Sequence, residues 1–386
     1  MNKSVLFIYP HISHQLPIIQ LTQRLSNDTK IYCFCPEHFI GSLGNQNIEY
    51  ISMIGYKDAN TEYSGTGFFE KIRQYKSQIN DLYMQSLIIV NKYEGIMNEI
   101  APRYIISDNM CIYARMFAEK MRIPYIYTHA DYFFTIANRM DYLQSECERS
   151  GIHGQQIERI KSFFQVHGNG KNILEYFYSD YLNICFVPSS FHPDHKVNPK
   201  RFIFAGCDRN AMQFEIKPVD GIYVFFEDID NRLLQCFIFP LIQYCNEHAI
   251  NLTITTAPCS IPEDTPAYQY LPEFSLEAIQ QAKFFVQSGD LSFVREAILY
   301  HTIPICIPVH FDHLITATKL QEYGAGIYIH DKIETQIFDW SAVFEPSNIE
   351  ALEGKIRDLN SEFTRIDTYS YISSCIEEVL QELEWR

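Results

Sequence analysis

Short apolar runs alternate with amphipathic segments along most of the chain, and this alternation limits the fold more than any other feature. The runs have the length of buried strands, and the segments between them carry apolar residues at helical spacing. Because strands joined by helices pair in parallel through right-handed crossovers, the pattern predicts an α/β fold. The strands predicted in the first half cover residues 5–9, 30–35, 48–53, 104–107, 124–128, 182–187 and 202–205.

The alternation restarts at Gly221 and predicts a second sheet in the second half of the chain. Residues 208–220 show no sheet pattern and are predicted to be a linker. The domain organisation predicted is a Rossmann-like domain at 1–207, the linker, a second Rossmann-like domain at 221–366, and a helix at 367–386 that crosses back to the first domain. The two domains are expected to face each other across a cleft, with ligands at the carboxyl ends of the strands.

Composition and charge exclude several classes of partner. The net charge of -16, without a run of Lys and Arg, disfavours nucleic acid and anionic membrane surfaces. No apolar stretch reaches the roughly 20 residues of a membrane span, and Pro10 interrupts the apolar start before any signal cleavage site. The 11 cysteines are scattered, which indicates reduced thiols and a cytoplasmic protein. A monomer and a homodimer both remain open.

Two titratable residues lie just after predicted strands. The segment Ser13-His14-Gln15-Leu16-Pro17 follows the first strand, and Asp108 follows the strand predicted at 104–107. Imidazole titrates near neutrality, so a histidine side chain is able to take a proton from a hydroxyl group. A surface histidine and an aspartate that caps a helix are the alternatives.

A turn of small residues lies between a strand and a helix in the second half. Ser288, Gly289 and Ser292 would place backbone N–H groups at a helix start, which favours an anion such as a diphosphate. The alternative is an ordinary strand–helix connection, which also favours glycine at its turn.

These segments together resemble the UDP-glycosyltransferase superfamily, of the family-1 type that includes macrolide and other natural-product glycosyltransferases. The resemblance is carried by residues 13–17, by Asp108 and by residues 284–324. It implies the GT-B fold and a metal-independent inverting glycosyltransferase, with His14 as the base and Asp108 as the partner that orients it. The co-substrate implied is a UDP- or TDP-linked sugar, with no cofactor.

The resemblance also implies a donor site and an acceptor site. Glu296 would accept hydrogen bonds from ribose hydroxyls, and Asp312 from sugar hydroxyls. The donor residues expected are Ser288, Gly289, Ser292, Phe293, Glu296, Asp312 and His313. The acceptor residues expected are Phe68, Phe69, Tyr132 and Phe133. An apolar pocket fits a lipophilic small molecule or lipid better than a polysaccharide, although core packing is the alternative for these aromatic residues.

Several positions depart from the family pattern. Ser288 replaces a histidine or glycine, Asp290 replaces the second glycine of the turn, and His313 replaces a glutamine. The acidic pair Glu227 and Asp228 occupies a loop where the family has small residues. These departures leave open a catalytically impaired homologue that acts as a binding or activator protein. A nucleotide-sugar epimerase of the same fold is a third alternative, and it would need further acid–base groups.

Two acidic or histidine-containing segments could suggest a metal site. Asp228-Ile229-Asp230 falls where a helix should begin, so first-turn acids explain it better than a metal. His192, Asp194 and His195 read as a solvated loop. We therefore predict that no metal is bound.

Overall fold

The structure is a computed structural model, and its described residues fall into two compact units. Described are residues 2–9, 12–26, 29–37, 40, 47–53, 68–130, 132, 167–168, 171–172, 176–193, 200–207, 221–227, 233–255, 268–309, 311–329, 337–364 and 367–384. The first unit comprises Met1–Phe186, Asp194–Ala205 and Thr368–Arg386. The second unit comprises Val187–Pro193 and Gly206–Asp367. The predicted linker, 208–220, lies outside the described residues.

The elements of the first unit alternate as the sequence predicts. They are β1 (Asn2–Phe7), α1 (Ile12–Leu25), β2 (Thr29–Cys35), β3 (Ile48–Ser52), α2 (Phe68–Ile100), β4 (Tyr104–Asp108), α3 (Ile112–Met121), β5 (Tyr125–His129), β6 (His167–Gly168), β7 (Lys171–Asn172), β8 (Leu182–Cys185) and β9 (Phe202–Phe204). Seven strands form one sheet in the order β3-β2-β1-β4-β5-β8-β9, and each pair of neighbouring strands in it is parallel. The short strands β6 and β7 pair antiparallel.

Both faces of this sheet are buried, which explains the nearly continuous apolar runs of its strands. In β1, Val5 and Phe7 join the apolar cluster beneath α2 and α3. Leu6 and the following Ile8 join the cluster on the opposite face, which α1 covers. Successive side chains of a strand point to opposite faces, so a strand with helices on both sides needs apolar residues at every position.

The second unit repeats the architecture. Its elements are β10 (Gly221–Phe225), α4 (Phe239–His248), β11 (Asn251–Thr255), β12 (Gln269–Tyr270), α5 (Leu276–Gln281), β13 (Phe284–Gln287), α6 (Leu291–Leu299), β14 (Ile303–Cys306), α7 (Phe311–Tyr323), β15 (Ile327–Tyr328) and α8 (Pro346–Phe363). Six strands form a parallel sheet in the order β12-β11-β10-β13-β14-β15. The prediction of an α/β fold with two parallel sheets is confirmed.

The last helix, α9 (Thr368–Glu384), packs on the first unit. Tyr369, Ile372, Ile376 and Leu380 recur at helical spacing and are buried in the same cluster as Leu6. Burial of each such side chain contributes about 1.5–3 kcal/mol, so this face anchors the helix. None of the helices in the described ranges combines the length and the apolar character that a membrane crossing requires.

The boundary between the units differs from the predicted boundary at residue 207. Residues Val187–Pro193 belong to the second unit. The reason is packing, because the fully buried ring of Phe191 contacts the rings of Tyr323 and Phe363, with centroids 5.6 and 5.5 Å away. A local apolar pattern cannot reveal a contact between residues so far apart in the sequence.

A π-helical turn (Leu234–Ile238) precedes α4. The cause is Pro240, which has no N–H to donate to the carbonyl of Cys236. The backbone N–H of Phe338 donates to that carbonyl instead, at 3.0 Å, and Nε1 of Trp340 donates to the neighbouring carbonyl of Phe237.

Candidate active site

Each sheet reverses its strand order at its centre, and the predicted site residues lie at these two points. In the first sheet β1 lies between β2 and β4, and in the second β10 lies between β11 and β13. Ligands of open α/β sheets bind outside the carboxyl ends of the strands at such switch points. Asp108 ends β4, His14 follows β1, and the turn Ser288–Ser292 follows β13.

Asp108 is buried and its carboxylate is held by the backbone. The side chain is 1% exposed, and Oδ1 accepts a hydrogen bond from the N–H of Met110 at 2.8 Å. The N-cap residue of α3 is Cys111, so the alternative that Asp108 caps this helix is wrong. Burial and the nearby Asp108 carboxylate raise the pKa of the Cys111 thiol, which therefore stays protonated at neutral pH.

His14 lies in the first turn of α1 and not on a loop after the first strand, where the resemblance places it. The helix begins at Ile12, five residues before Pro17. Gln15, Ile18 and Leu21 are buried at helical spacing, so the buried face continues ahead of the proline and the helix begins earlier. The side chain of His14 is outside the described part of the structure.

The turn after β13 requires glycine at position 289. Gly289 has φ of +103°, and a Cβ atom placed on it would lie 2.7 Å from the carbonyl oxygen of His313. Its backbone N–H donates to Oε1 of Gln287 at 2.6 Å. The turn is therefore held by the strand before it and packed against the first turn of α7.

Gln287 is a residue of this turn that sequence reasoning missed. It is fully buried at the end of β13, and its Nε2 donates to Sγ of Cys306 on the adjacent strand at 3.2 Å. Burial raises the pKa of the Cys306 thiol, so the sulfur remains a neutral acceptor. The only signal in the sequence is an amide at the end of an otherwise apolar strand.

Asp290 is the N-cap residue of α6. Its Oδ1 accepts a hydrogen bond from the backbone N–H of Ser292 at 2.8 Å, and its side chain is buried. The sequence predicted free N–H groups at this turn, but those of Gly289 and Ser292 are both engaged. The hydroxyl of Ser292 is different: it is buried and has no hydrogen-bond partner among the described residues. A buried unpaired hydroxyl costs free energy unless a ligand satisfies it.

Glu296, the predicted ribose ligand, forms a buried ion pair with its neighbour Arg295. The two residues are 4% and 3% exposed. Nε and Nη2 of Arg295 both donate to Oε1 of Glu296, at 3.2 and 2.5 Å. The sequence alone indicates no role for Arg295.

The ring of Phe293 is part of the apolar core. It is 1% exposed and packs between Phe225 and Phe274, with ring centroids 4.9 and 4.8 Å away. Only its backbone is therefore placed to serve a ligand at the start of α6.

The C-terminal end of α6 is fixed by a second residue that the sequence did not reveal. Nδ2 of Asn360, on α8, donates to the carbonyls of Ile298 and Leu299 at 3.0 and 3.1 Å. These carbonyls lie in the last turn, where helix carbonyls lack a partner within the helix. The carbonyl of Ile298 also accepts from the backbone N–H of His301 at 3.2 Å. Asp290 and Asn360 thus hold α6 at both ends.

The remaining predicted donor residues lie around this turn. Ser288 is partly exposed, and Asp312 and His313 lie in the first turn of α7. His313 is partly buried against Gly289, and the side chain of Asp312 is outside the described residues. Glu227, which follows β10, is exposed.

The structure describes only part of the two segments that could suggest a metal site. Asp228, Asp230, Asp194 and His195 lie outside the described residues, whereas His192 is buried. In the ranges that the structure describes, no three His, Cys, Asp or Glu side chains cluster as a metal site would require.

Of the predicted acceptor residues, the structure describes one side chain. Tyr132 is buried, at 4% exposure, just after β5. Phe68 and Phe69 begin α2, but their side chains and Phe133 lie outside the described part of the chain.

No protein-family model matches the chain. Among curated proteins, the NDP-glycosyltransferase YjiC of Bacillus subtilis strain 168 is 23% identical over 305 residues, which are 73% of this chain and 74% of that protein. The human 2-hydroxyacylsphingosine 1-beta-galactosyltransferase is 31% identical over 96 residues, which are 25% of this chain and 16% of that protein.

Solved structures match over nearly the whole chain. The glycotransferase of kitacinnamycin superposes with a TM-score of 0.70 at 14% identity, covering 97% of this chain and 99% of that one. The spinosyn rhamnosyltransferase SpnG, complexed with thymidine diphosphate, has a TM-score of 0.64 at 11% identity, covering 98% and 100%. The chain has the GT-B fold, and its sequence is similar to that of the NDP-glycosyltransferase named above. The two switch points described above are thus those of a GT-B protein.

Proposed function

We propose that the protein is an inverting glycosyltransferase that moves a sugar from a UDP- or TDP-linked donor to a hydroxyl of a lipophilic small molecule or lipid. The observation that carries the proposal is the start of α6. There the buried hydroxyl of Ser292 has no partner among the described residues, at a helix end whose dipole favours anions. A diphosphate would supply the missing acceptor.

The contacts of this turn fit a diphosphate. Ser288 is partly exposed, and Gly289 lets the turn pack closely against His313. The negative charge of Asp290 is engaged with the N–H of Ser292. Glu296 would bind the ribose, and Asp312 with His313 the sugar, as the resemblance implies.

The proposed reaction is a single displacement. The acceptor oxygen bonds to the anomeric carbon while the bond from that carbon to the diphosphate oxygen breaks, and the hydroxyl proton passes to His14. The nucleoside diphosphate leaves, and the configuration at the anomeric carbon is inverted. Asp108 would orient His14 and stabilise its imidazolium form. The burial of Asp108 at the end of β4, next to β1, supports this role.

The acceptor site is proposed at Phe68, Phe69, Tyr132 and Phe133. These aromatic residues would favour an apolar acceptor. The human relative named above carries a lipid acceptor in its name, which agrees with this choice.

The proposed mechanism uses no metal. The charge that develops on the leaving diphosphate would be stabilised by the N-terminus of α6 and by Ser292. We expect EDTA to leave turnover unchanged, whereas a strict requirement for Mg²⁺ or Mn²⁺ would direct attention to Asp228 and Asp230.

A catalytically impaired homologue is the second candidate, and one observation favours it. The backbone N–H groups of Gly289 and Ser292 are occupied by Gln287 and Asp290, so the turn offers a diphosphate fewer donors than the sequence suggested.

A thermal-shift screen with nucleotide sugars separates the two candidates. The enzyme should be stabilised by at least one UDP- or TDP-sugar, and Ser292→Ala should weaken that binding. Ser374→Ala, an exposed serine on α9, is the matched control and should behave as wild type. If no nucleotide or nucleotide sugar stabilises the wild type, the impaired homologue replaces the enzyme.

A further inference from the structure

Arg295 uses two nitrogen atoms to engage one oxygen of Glu296. Nε and Nη2 lie 3.2 and 2.5 Å from Oε1. Within the described part of the chain, no hydrogen bond to Oε2 is present. The two oxygens of this carboxylate are therefore not equivalent.

This asymmetry limits what Glu296 can offer a ribose. An ionised carboxylate has about four lone-pair sites, two on each oxygen, and the two N–H groups of Arg295 engage Oε1 alone. A ribose with hydroxyls at C2′ and C3′ would bind best with one hydroxyl on each carboxylate oxygen. Neighbouring hydroxyls approach a single oxygen from nearly the same direction, whereas its lone pairs point apart. Oε2 is therefore the only carboxylate oxygen available, and it can accept a hydrogen bond with good geometry from only one of the two hydroxyls.

A bound nucleotide cannot readily displace Arg295. Both side chains are almost fully buried, at 3% and 4% exposure. Removing one partner of a buried ion pair leaves an uncompensated charge, which is strongly unfavourable. Asp290 and Asn360 also hold the two ends of the helix that carries the pair. The pair should thus persist when a nucleotide binds.

On the basis of the proposed function, we infer that Arg295 sets the nucleotide specificity of the donor site. By occupying Oε1 of Glu296, it reduces ribose recognition to a single hydroxyl. The 3′-hydroxyl is common to ribonucleotides and 2′-deoxyribonucleotides. The site therefore accepts 2′-deoxyribonucleoside diphosphates, the class to which thymidine diphosphate belongs, as well as their ribonucleoside counterparts.

Titration calorimetry on the wild-type chain tests this inference with matched ligands. UDP, CDP, ADP and GDP are each compared with the 2′-deoxy counterpart, so the unknown base preference cancels. For the base that binds, we expect the two dissociation constants to agree within about fivefold. The 2′,3′-dideoxy form, which offers Oε2 no hydroxyl, should bind at least about tenfold more weakly.

Arg295→Met provides the second measurement. It frees Oε1, so the variant should prefer the ribonucleotide over the 2′-deoxy form by about tenfold or more. Thermal unfolding reports whether this variant folds, and if it does not, the wild-type titrations decide alone. A wild-type preference for the ribonucleotide above fivefold overturns the inference and leaves the proposed function intact. If no nucleotide binds, both the inference and the proposed function are overturned.

Discussion

The carboxylate of Asp290 accepts a hydrogen bond from the backbone N–H of Ser292, with 2.8 Å between Oδ1 and N. An acidic residue at this position would repel a diphosphate if its charge were unengaged. As the N-cap of α6, it instead satisfies one of the N–H groups that a helix start leaves unpaired. The departure from the family pattern therefore has a structural role.

Removal of this cap should destabilise the fold. Asp290→Ala should lower the free energy of unfolding by about 1 kcal/mol, the usual loss for an N-cap. Asp290→Asn retains an acceptor and should stay close to wild type. Urea denaturation measures both, and equal losses in the two variants would show that the charge and not the cap is what matters.

Gly289 should tolerate no side chain. Gly289→Ala combines φ of +103° with a contact of 2.7 Å to the carbonyl of His313, and it should cost about 1–3 kcal/mol. Gly95, on α2, provides the control because a Cβ atom there meets nothing within 4 Å. Gly95→Ala should stabilise the chain by about 0.5–1 kcal/mol, as alanine does in a helix. Thermal unfolding measures the stability of both variants. A Gly289→Ala variant as stable as the wild type would contradict the close contact between position 289 and the carbonyl of His313.

Asn360 should contribute to stability through the end of α6. Asn360→Ala leaves the buried carbonyls of Ile298 and Leu299 without this donor, so we expect a loss of about 1–3 kcal/mol. Asn348, near the start of the same helix, is a suitable control because its exposed amide donates to the carbonyl of Ala342 at 3.4 Å. Asn348→Ala should change the free energy of unfolding by less than about 0.5 kcal/mol. Similar effects of the two substitutions would exclude the role assigned to Asn360.

The sheets could be predicted because their strands are buried on both faces. Runs such as Tyr104–Asp108 and Phe284–Gln287 are short and mostly apolar, which is typical of central parallel strands. The small residues around Gly289 likewise marked the turn before α6. Local pattern and fold agree at these places, so sequence reasoning succeeds.

The contacts within the site could not be predicted from spacing. The sequence shows an acid at position 290 but not whether it caps a helix or faces a ligand. Adjacent residues of a helix point in different directions, so nothing indicated that Arg295 and Glu296 pair. Asn360 reaches α6 from 61 and 62 residues away. Such contacts depend on tertiary packing, which local patterns do not contain.

Turnover of the His14→Ala variant tests the catalytic proposal most directly. Transfer from a UDP- or TDP-sugar to a panel of phenols and apolar alcohols is followed by mass spectrometry, with circular dichroism as the check on folding. Loss of the base should lower turnover about 100-fold or more, because a general base contributes on that scale. His11→Ala, three positions earlier, is the matched control and should retain activity. Near-normal turnover in folded His14→Ala would contradict the assignment of His14 as the base.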